Sequence, residues 1–180
     1  MTAVRRFRLA LAAAVLFALA VAGWQAALHW SARNPVPDAT IGLGETAEVD
    51  GSTFRLDSID AVPQLPAMED DQAPVEAPPG ALLVQVVITT EIVGSDVDPA
   101  SHYCDATAYD EAGRSWRPDS LGYTVAGPAA HSCHGTSEEP IRPGEPLAVG
   151  FVFVMPADAV EDLYVDLQLG YEGGMVRLTG

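Results

Sequence analysis

Lysine is missing altogether, so the nine basic residues of this 180-residue chain are all arginine. Four of them, Arg5, Arg6, Arg8 and Arg33, precede the first acid. The rest of the chain sets five arginines against 25 acids, a net charge of −20, and the whole chain carries −16. A surface this acidic repels phosphate backbones and anionic lipid headgroups, which excludes nucleic acid as a partner. Catalytic motifs are missing too: no GxSxG elbow, SxxK or HExxH occurs. Gly122 and Gly173-Gly174 are followed by no helical pattern, which excludes a phosphate-cradling loop. After residue 40 no apolar residues recur at helical spacing, which excludes a helical bundle. These absences point to a chain that is no enzyme and needs no cofactor.

What is present begins with an apolar run. Leu9 to Leu28 is twenty residues without a charge, roughly 30 Å as a helix and enough to cross a bilayer. Arg5, Arg6 and Arg8 precede it, so the positive-inside bias puts the N-terminus in the cytoplasm, with Trp24 and Trp30 near the outer interface. The rival reading is a cleaved signal, with Ala20-Val21-Ala22 as the small-x-small site. No cysteine follows the run, so lipid attachment there is excluded. The expected organisation is a cytoplasmic segment at 1–8, a transmembrane anchor or signal peptide at 9–30, a linker at 31–40 and an extracytoplasmic domain at 41–180. Either version exports the domain.

That domain reads as strands. Phe54 and Leu56, then Val84, Val86 and Ile88, then Leu163, Val165, Leu167 and Leu169 alternate with other residues at period two. Leu147 to Met155 is apolar on both faces, with Leu147, Val149, Phe151 and Phe153 as the bulkier set, the pattern of a central strand in a sheet covered on both sides. Asp110-Glu111-Ala112-Gly113 is a hairpin signal and Arg142-Pro143-Gly144-Glu145 a turn. Seven or so short strands predict an all-β antiparallel sandwich. Residues 63–80 hold five prolines with Glu69, Asp70, Asp71 and Glu76, and predict a long, solvated, mobile loop.

Several of these elements resemble the telokin-like, immunoglobulin-like extracytoplasmic domain of unknown function that bacteria carry behind transmembrane anchors and lipoprotein signals. The likeness runs through Gly51-Ser52-Thr53-Phe54, Pro79-Gly80-Ala81-Leu82-Leu83-Val84-Gln85-Val86 and Tyr109-Asp110-Glu111-Ala112-Gly113-Arg114-Ser115-Trp116. It continues through Pro143-Gly144-Glu145, Phe151-Val152-Phe153-Val154-Met155-Pro156 and Val176-Arg177-Leu178. The resemblance implies an immunoglobulin-like antiparallel β-sandwich preceded by one N-terminal transmembrane helix. It brings no catalytic residues.

Cys104 and Cys133 are the only cysteines. In an oxidising compartment they predict a disulfide. His102-Tyr103-Cys104 and His131-Ser132-Cys133-His134 each place a histidine and a cysteine two residues apart, on one face of a strand. Two such pairs on neighbouring strands would offer imidazoles and thiolates to zinc or copper, and His102, His131 and His134 alone could cluster around a bridged pair. Trp116, Tyr123, Tyr164 and Tyr171 are candidate interface aromatics. The expected function is non-catalytic recognition of an envelope protein or cell-wall component by a single-pass membrane protein. Extracytoplasmic metal binding through the His/Cys cluster is the alternative.

Overall fold

The computed structural model describes residues 11, 13–25, 36–69, 71–138, 140–170 and 173–180. They fall in two compact units, Met1–Val36 and Pro37–Gly180. In the first, Leu11 and residues 13–25 are helical, and Leu16, Phe17, Leu19 and Trp24 are exposed. Among the described residues no helix is long and apolar enough to cross a membrane. The span expected over 9–30 lies partly outside the described residues, as do the cytoplasmic segment at 1–8 and Trp30.

The second unit is a β-sandwich. One sheet has the order β2-β3-β6-β9, formed by Thr46–Val49, Ser52–Val62, Ala81–Ile92 and Leu147–Pro156. The other has the order β1-β11-β10-β7-β8, formed by Ala39–Ile41, Met175–Thr179, Tyr164–Leu169, Cys104–Tyr109 and Ser115–Trp116. A small third sheet pairs β4 (Gln64–Leu65) with β5 (Val75–Glu76). The pairings are antiparallel except one: β1 runs parallel to β11, with Thr40 opposite Arg177. The chain then crosses to the other sheet within four residues, where the Gly42 N–H donates to the Glu45 carboxylate at 2.8 Å.

Alternation supplies the core. Phe54 and Leu56 of β3, Val84, Val86 and Ile88 of β6, and Val149, Phe151, Phe153 and Met155 of β9 face Ala106, Ala108, Val165, Leu167, Val176 and Leu178 of the second sheet. Among them, Phe54, Leu56, Val84, Val86, Ile88, Val149, Phe151, Phe153, Val165 and Leu167 are residues that the sequence pattern singled out. Two hairpins follow local turn chemistry. Asp50 and Gly51, both at positive φ, join β2 to β3 as the two-residue Asp-Gly turn that suits the twist of paired strands. Asp110 closes the β7–β8 hairpin: its backbone N–H donates to the Arg114 carbonyl, and its carboxylate accepts the Arg114 N–H at 2.8 Å.

Two expectations change. Strand β9 is apolar on both faces as expected, but it pairs only with β6 and so ends its sheet rather than sitting inside it. Residues 63–80 are not a free loop. Leu65 is buried with Leu83, Val125 and Val152, and Val75, Ala77 and Leu121 pack around them. The Ala126 N–H donates to the Pro66 carbonyl and the Met68 N–H to the Thr124 carbonyl. The apolar residues spaced between the prolines thus cover the outer face of β6 and β9, which would otherwise meet water. Composition alone weighed the prolines and acids and missed those apolar positions.

Leu65→Ala is expected to expose this second cluster and cost about 2–5 kcal/mol. Limited proteolysis should then cut within 63–80 far faster than in the unsubstituted chain, with the sandwich remaining as a resistant fragment.

Candidate functional site

The connection between β8 and β9 is largely irregular among its described residues, and the candidate site is built on it. Asp119 starts a short 3-10 turn, Ser120–Thr124, because its carboxylate accepts the Leu121 N–H at 2.9 Å. The Asp119 N–H in turn donates to the Val152 carbonyl on the outer edge of β9 at 2.7 Å. Further on, Ala130 makes a parallel bridge to Val149, and the Gly150 N–H donates to the Ala130 carbonyl at 2.9 Å. Gly150 suits the close approach here: a Cβ would stand 3.1 Å from the Pro128 ring, which would have to shift slightly. His131 completes the edge, its Nδ1 lying 3.0 Å from the Gly150 carbonyl. A carbonyl only accepts, so Nδ1 carries the hydrogen, and in the neutral ring Nε2 is an acceptor.

Cys133 then bonds to Cys104 at the start of β7, with their Cα atoms 5.3 Å apart. Both are buried. The segment that covers the edge of one sheet is therefore fastened covalently to the other. Because the sulfurs are joined, neither is available as a thiolate ligand.

Above this edge lie two adjoining concavities. One, of about 260 Å³, is lined by Asp119, Ser120, Gly122, Tyr123, His131 and Val152 among others. The second, of about 280 Å³, is lined by Tyr123, His131, Ser132, His134 and Thr136 among others. Tyr123 and His131 are common to both and meet edge to face, with ring centroids 4.4 Å apart. Tyr123 is 65% exposed, the most open aromatic of the domain's described residues, and Met68 on the neighbouring hairpin is exposed as well.

The candidate histidines have separate surroundings. His131 and His134 share the second concavity, with His134 Nδ1 hydrogen-bonded to the Ser132 hydroxyl at 2.9 Å. His102 lines neither concavity. It is 8% exposed and stacks on Phe54, and its Nε2 has no hydrogen-bond partner. Burial pushes its pKa down from 6.5, because water no longer solvates the charged ring. Among the described residues no group of three or more histidine, cysteine, aspartate or glutamate side chains is arranged to hold a metal ion.

The aromatics do not form one surface either. Trp116 is half-buried against the core, with the Arg114 guanidinium 5.5 Å from its ring centre. Tyr164 lies on the outer face of the five-stranded sheet, stacked on Tyr109 at 5.3 Å and covered by Arg177 at 4.1 Å. Arg177 also grips the buried Asp166 through two hydrogen bonds of 2.7 and 2.8 Å. Burial, and next the negative charge of Asp166, raise the Tyr109 pKa. Tyr171 lies outside the described residues. Sequence reading passed over Asp119, Gly150 and the Asp166–Arg177 pair. Asp119 carried a signal, as an aspartate two residues before the amide it caps.

A third polar cluster holds the Asp110 hairpin. Burial opposes charge on Asp110, but the Arg114 side chain and backbone both donate to its carboxylate and hold its pKa below the usual value. Arg114 also reaches Asp158 at 3.1 Å, which ties the hairpin to the turn after β9.

Removing the covalent bond with Cys104→Ala and Cys133→Ala is expected to lower stability by about 3–4 kcal/mol, measured by denaturant unfolding. His102 adds a pH dependence. Its folded pKa lies below the unfolded value of 6.5, so its stabilising share is intact above 6.5 and is lost as pH falls through the folded value. His102→Phe keeps the ring on Phe54, and unfolding curves should show a shallower loss of stability on acidification from pH 6.5 than the unsubstituted chain does.

No protein-family model matches the sequence, and no curated protein matches it. Solved structures do match the fold. A conserved hypothetical protein from Bacillus anthracis superposes with a TM-score of 0.53 at 11% identity, over 74% of this chain and 93% of that one. An uncharacterized beta-sandwich protein from Clostridium difficile 630 gives 0.47 at 14% identity, covering 79% and 93%. The yjhA protein from Bacillus subtilis gives 0.47 at 14%, covering 76% and 98%. At such identities the likeness to the Bacillus anthracis protein is one of fold alone, and the second unit is a β-sandwich similar to that of a bacterial protein.

Proposed function

We propose that this chain is a non-catalytic recognition protein of a bacterial envelope, with an immunoglobulin-like domain displayed outside the cytoplasm. The observation that carries the reading is the covalent fastening of a solvent-facing, cavity-bearing segment to the sandwich by Cys104 and Cys133. Such a bond persists in oxidising compartments and is rare in the cytoplasm. Loops held by a rigid sandwich are where binding proteins of this architecture place their contacts. The absence of the familiar nucleophile and acid–base motifs from the sequence agrees with binding rather than turnover.

The display would rest on the N-terminal run. Leu11, Leu16, Phe17, Leu19 and Trp24 are large apolar side chains exposed on a helix, and a bilayer is the environment that would cover them. Arginines before the run and an acidic chain after it favour a cytoplasmic N-terminus. The partner would then be an envelope protein or cell-wall component.

In right-side-out spheroplasts the cysteines are expected to resist alkylation until a reductant is added. External protease should degrade the domain while a fragment of the apolar run stays in the membrane pellet after alkaline carbonate extraction. Free thiols together with full protease resistance in intact spheroplasts would refute the reading. Complete extraction of an otherwise oxidised, accessible domain would favour the cleaved-signal version.

A further inference from the structure

The domain's charge is unevenly answered. Of the five arginines beyond residue 36, Arg55 pairs with Asp57, Arg114 with Asp110 and Asp158, Arg142 with Glu145, and Arg177 with Asp166. Most acids among the described residues therefore have no arginine in an ion pair with them. Asp119 is one of these. Its Oδ1 accepts from Leu121 within its own turn, and no arginine pairs with it among the described residues.

Asp119 lines the smaller concavity together with two further electron-rich residues. Tyr123 is largely open to solvent, leaving aromatic surface for a cation. With its Nδ1 hydrogen committed to the Gly150 carbonyl, the His131 ring has Nε2 as its remaining polar atom. No arginine lines the cavity. A hollow lined by an acid, a tyrosine and a histidine, with no arginine, suits a ligand that is positively charged and rich in N–H donors. At about 260 Å³ the hollow is below the range of drug-sized pockets and on the scale of one long side chain. The adjoining concavity across Tyr123 and His131 would take the neighbouring residue of an extended segment.

Resting on the recognition reading above, we propose that Asp119, Tyr123 and His131 form a binding site for a cationic side chain, arginine or lysine, presented by a polypeptide partner. The domain's net charge of −20 draws such a partner in from a distance, and the concavity selects one cation from it. Asp119 supplies the charge partner, Tyr123 the ring face and His131 the acceptor.

The test uses the full chain and fluorescence anisotropy of a labelled, end-blocked peptide with a single arginine, beside the same peptide carrying citrulline, at 0.15 M salt. The arginine peptide should bind saturably, and the neutral isostere at least about tenfold more weakly. Asp119→Asn retains an oxygen to cap the turn and should lose about tenfold. Tyr123→Ala removes an exposed ring and should lose about threefold. Glu48→Gln removes the same charge from β2, at the opposite edge of the sheet, and should leave affinity unchanged. Equal losses for Asp119→Asn and Glu48→Gln would overturn the proposal in favour of diffuse attraction. Equal binding of citrulline and arginine peptides would overturn it in favour of a neutral ligand. No saturable binding would overturn it outright. None of these outcomes touches the spheroplast result, so the cation site and the recognition reading fail separately.

Discussion

Strand β9 imposes the constraint on which the irregular half of the domain depends. It is apolar on both faces and lies at the end of its sheet, so its outer face and its free edge both need covering. The sandwich core takes Val149, Phe151, Phe153 and Met155. Val152 on the other face is covered by Leu65 and Val125, brought in by the 63–80 hairpin and by the segment after the Ser120–Thr124 turn. The free edge is closed by Asp119, Ala130 and His131, which satisfy the Val152 carbonyl, the Gly150 N–H and the Gly150 carbonyl. An uncovered edge of this kind is a template for pairing with other chains. The Cys104–Cys133 bond keeps the cover in place, because residues 117–131 have little regular structure to hold them.

The same arrangement creates the candidate site. A covering segment that runs irregularly along a strand leaves hollows between its turns and the strand, and here two hollows meet at Tyr123 and His131. His131 serves both purposes: Nδ1 closes the edge, while the rest of the ring walls the concavities. The domain's arginines mostly serve structure, tying the β7–β8 hairpin to the turn after β9 and bracing the outer face of the five-stranded sheet. That leaves the surface acidic.

Much of the sandwich was legible in the sequence. Period-two runs identified β3, β6 and β10 and their buried residues, and Asp110 to Gly113 marked the β7–β8 hairpin, because alternation and turn chemistry are local properties. The disulfide was legible from there being two cysteines and an apolar N-terminal run that implied export. Less legible was anything set by pairing between distant segments. The parallel contact of β1 with β11 joins residues such as Thr40 and Arg177, and nothing near either announces it. The edge position of β9 was hidden because a strand covered by irregular chain reads like one flanked by strands. The site shared this difficulty: Tyr123 and His131 were visible as single residues, but their meeting depends on how 117–131 lies along β9.

Whether the disulfide holds the cover on β9 can be decided by amide hydrogen exchange of the oxidised and reduced full chain. Reduction is expected to accelerate exchange at the Gly150 amide, which donates to the Ala130 carbonyl, and at the Asp119 amide far more than at Leu56 or Val86 in the paired strands. Equal protection of Gly150 in both forms would contradict it, showing that the segment stays on β9 without its covalent tie.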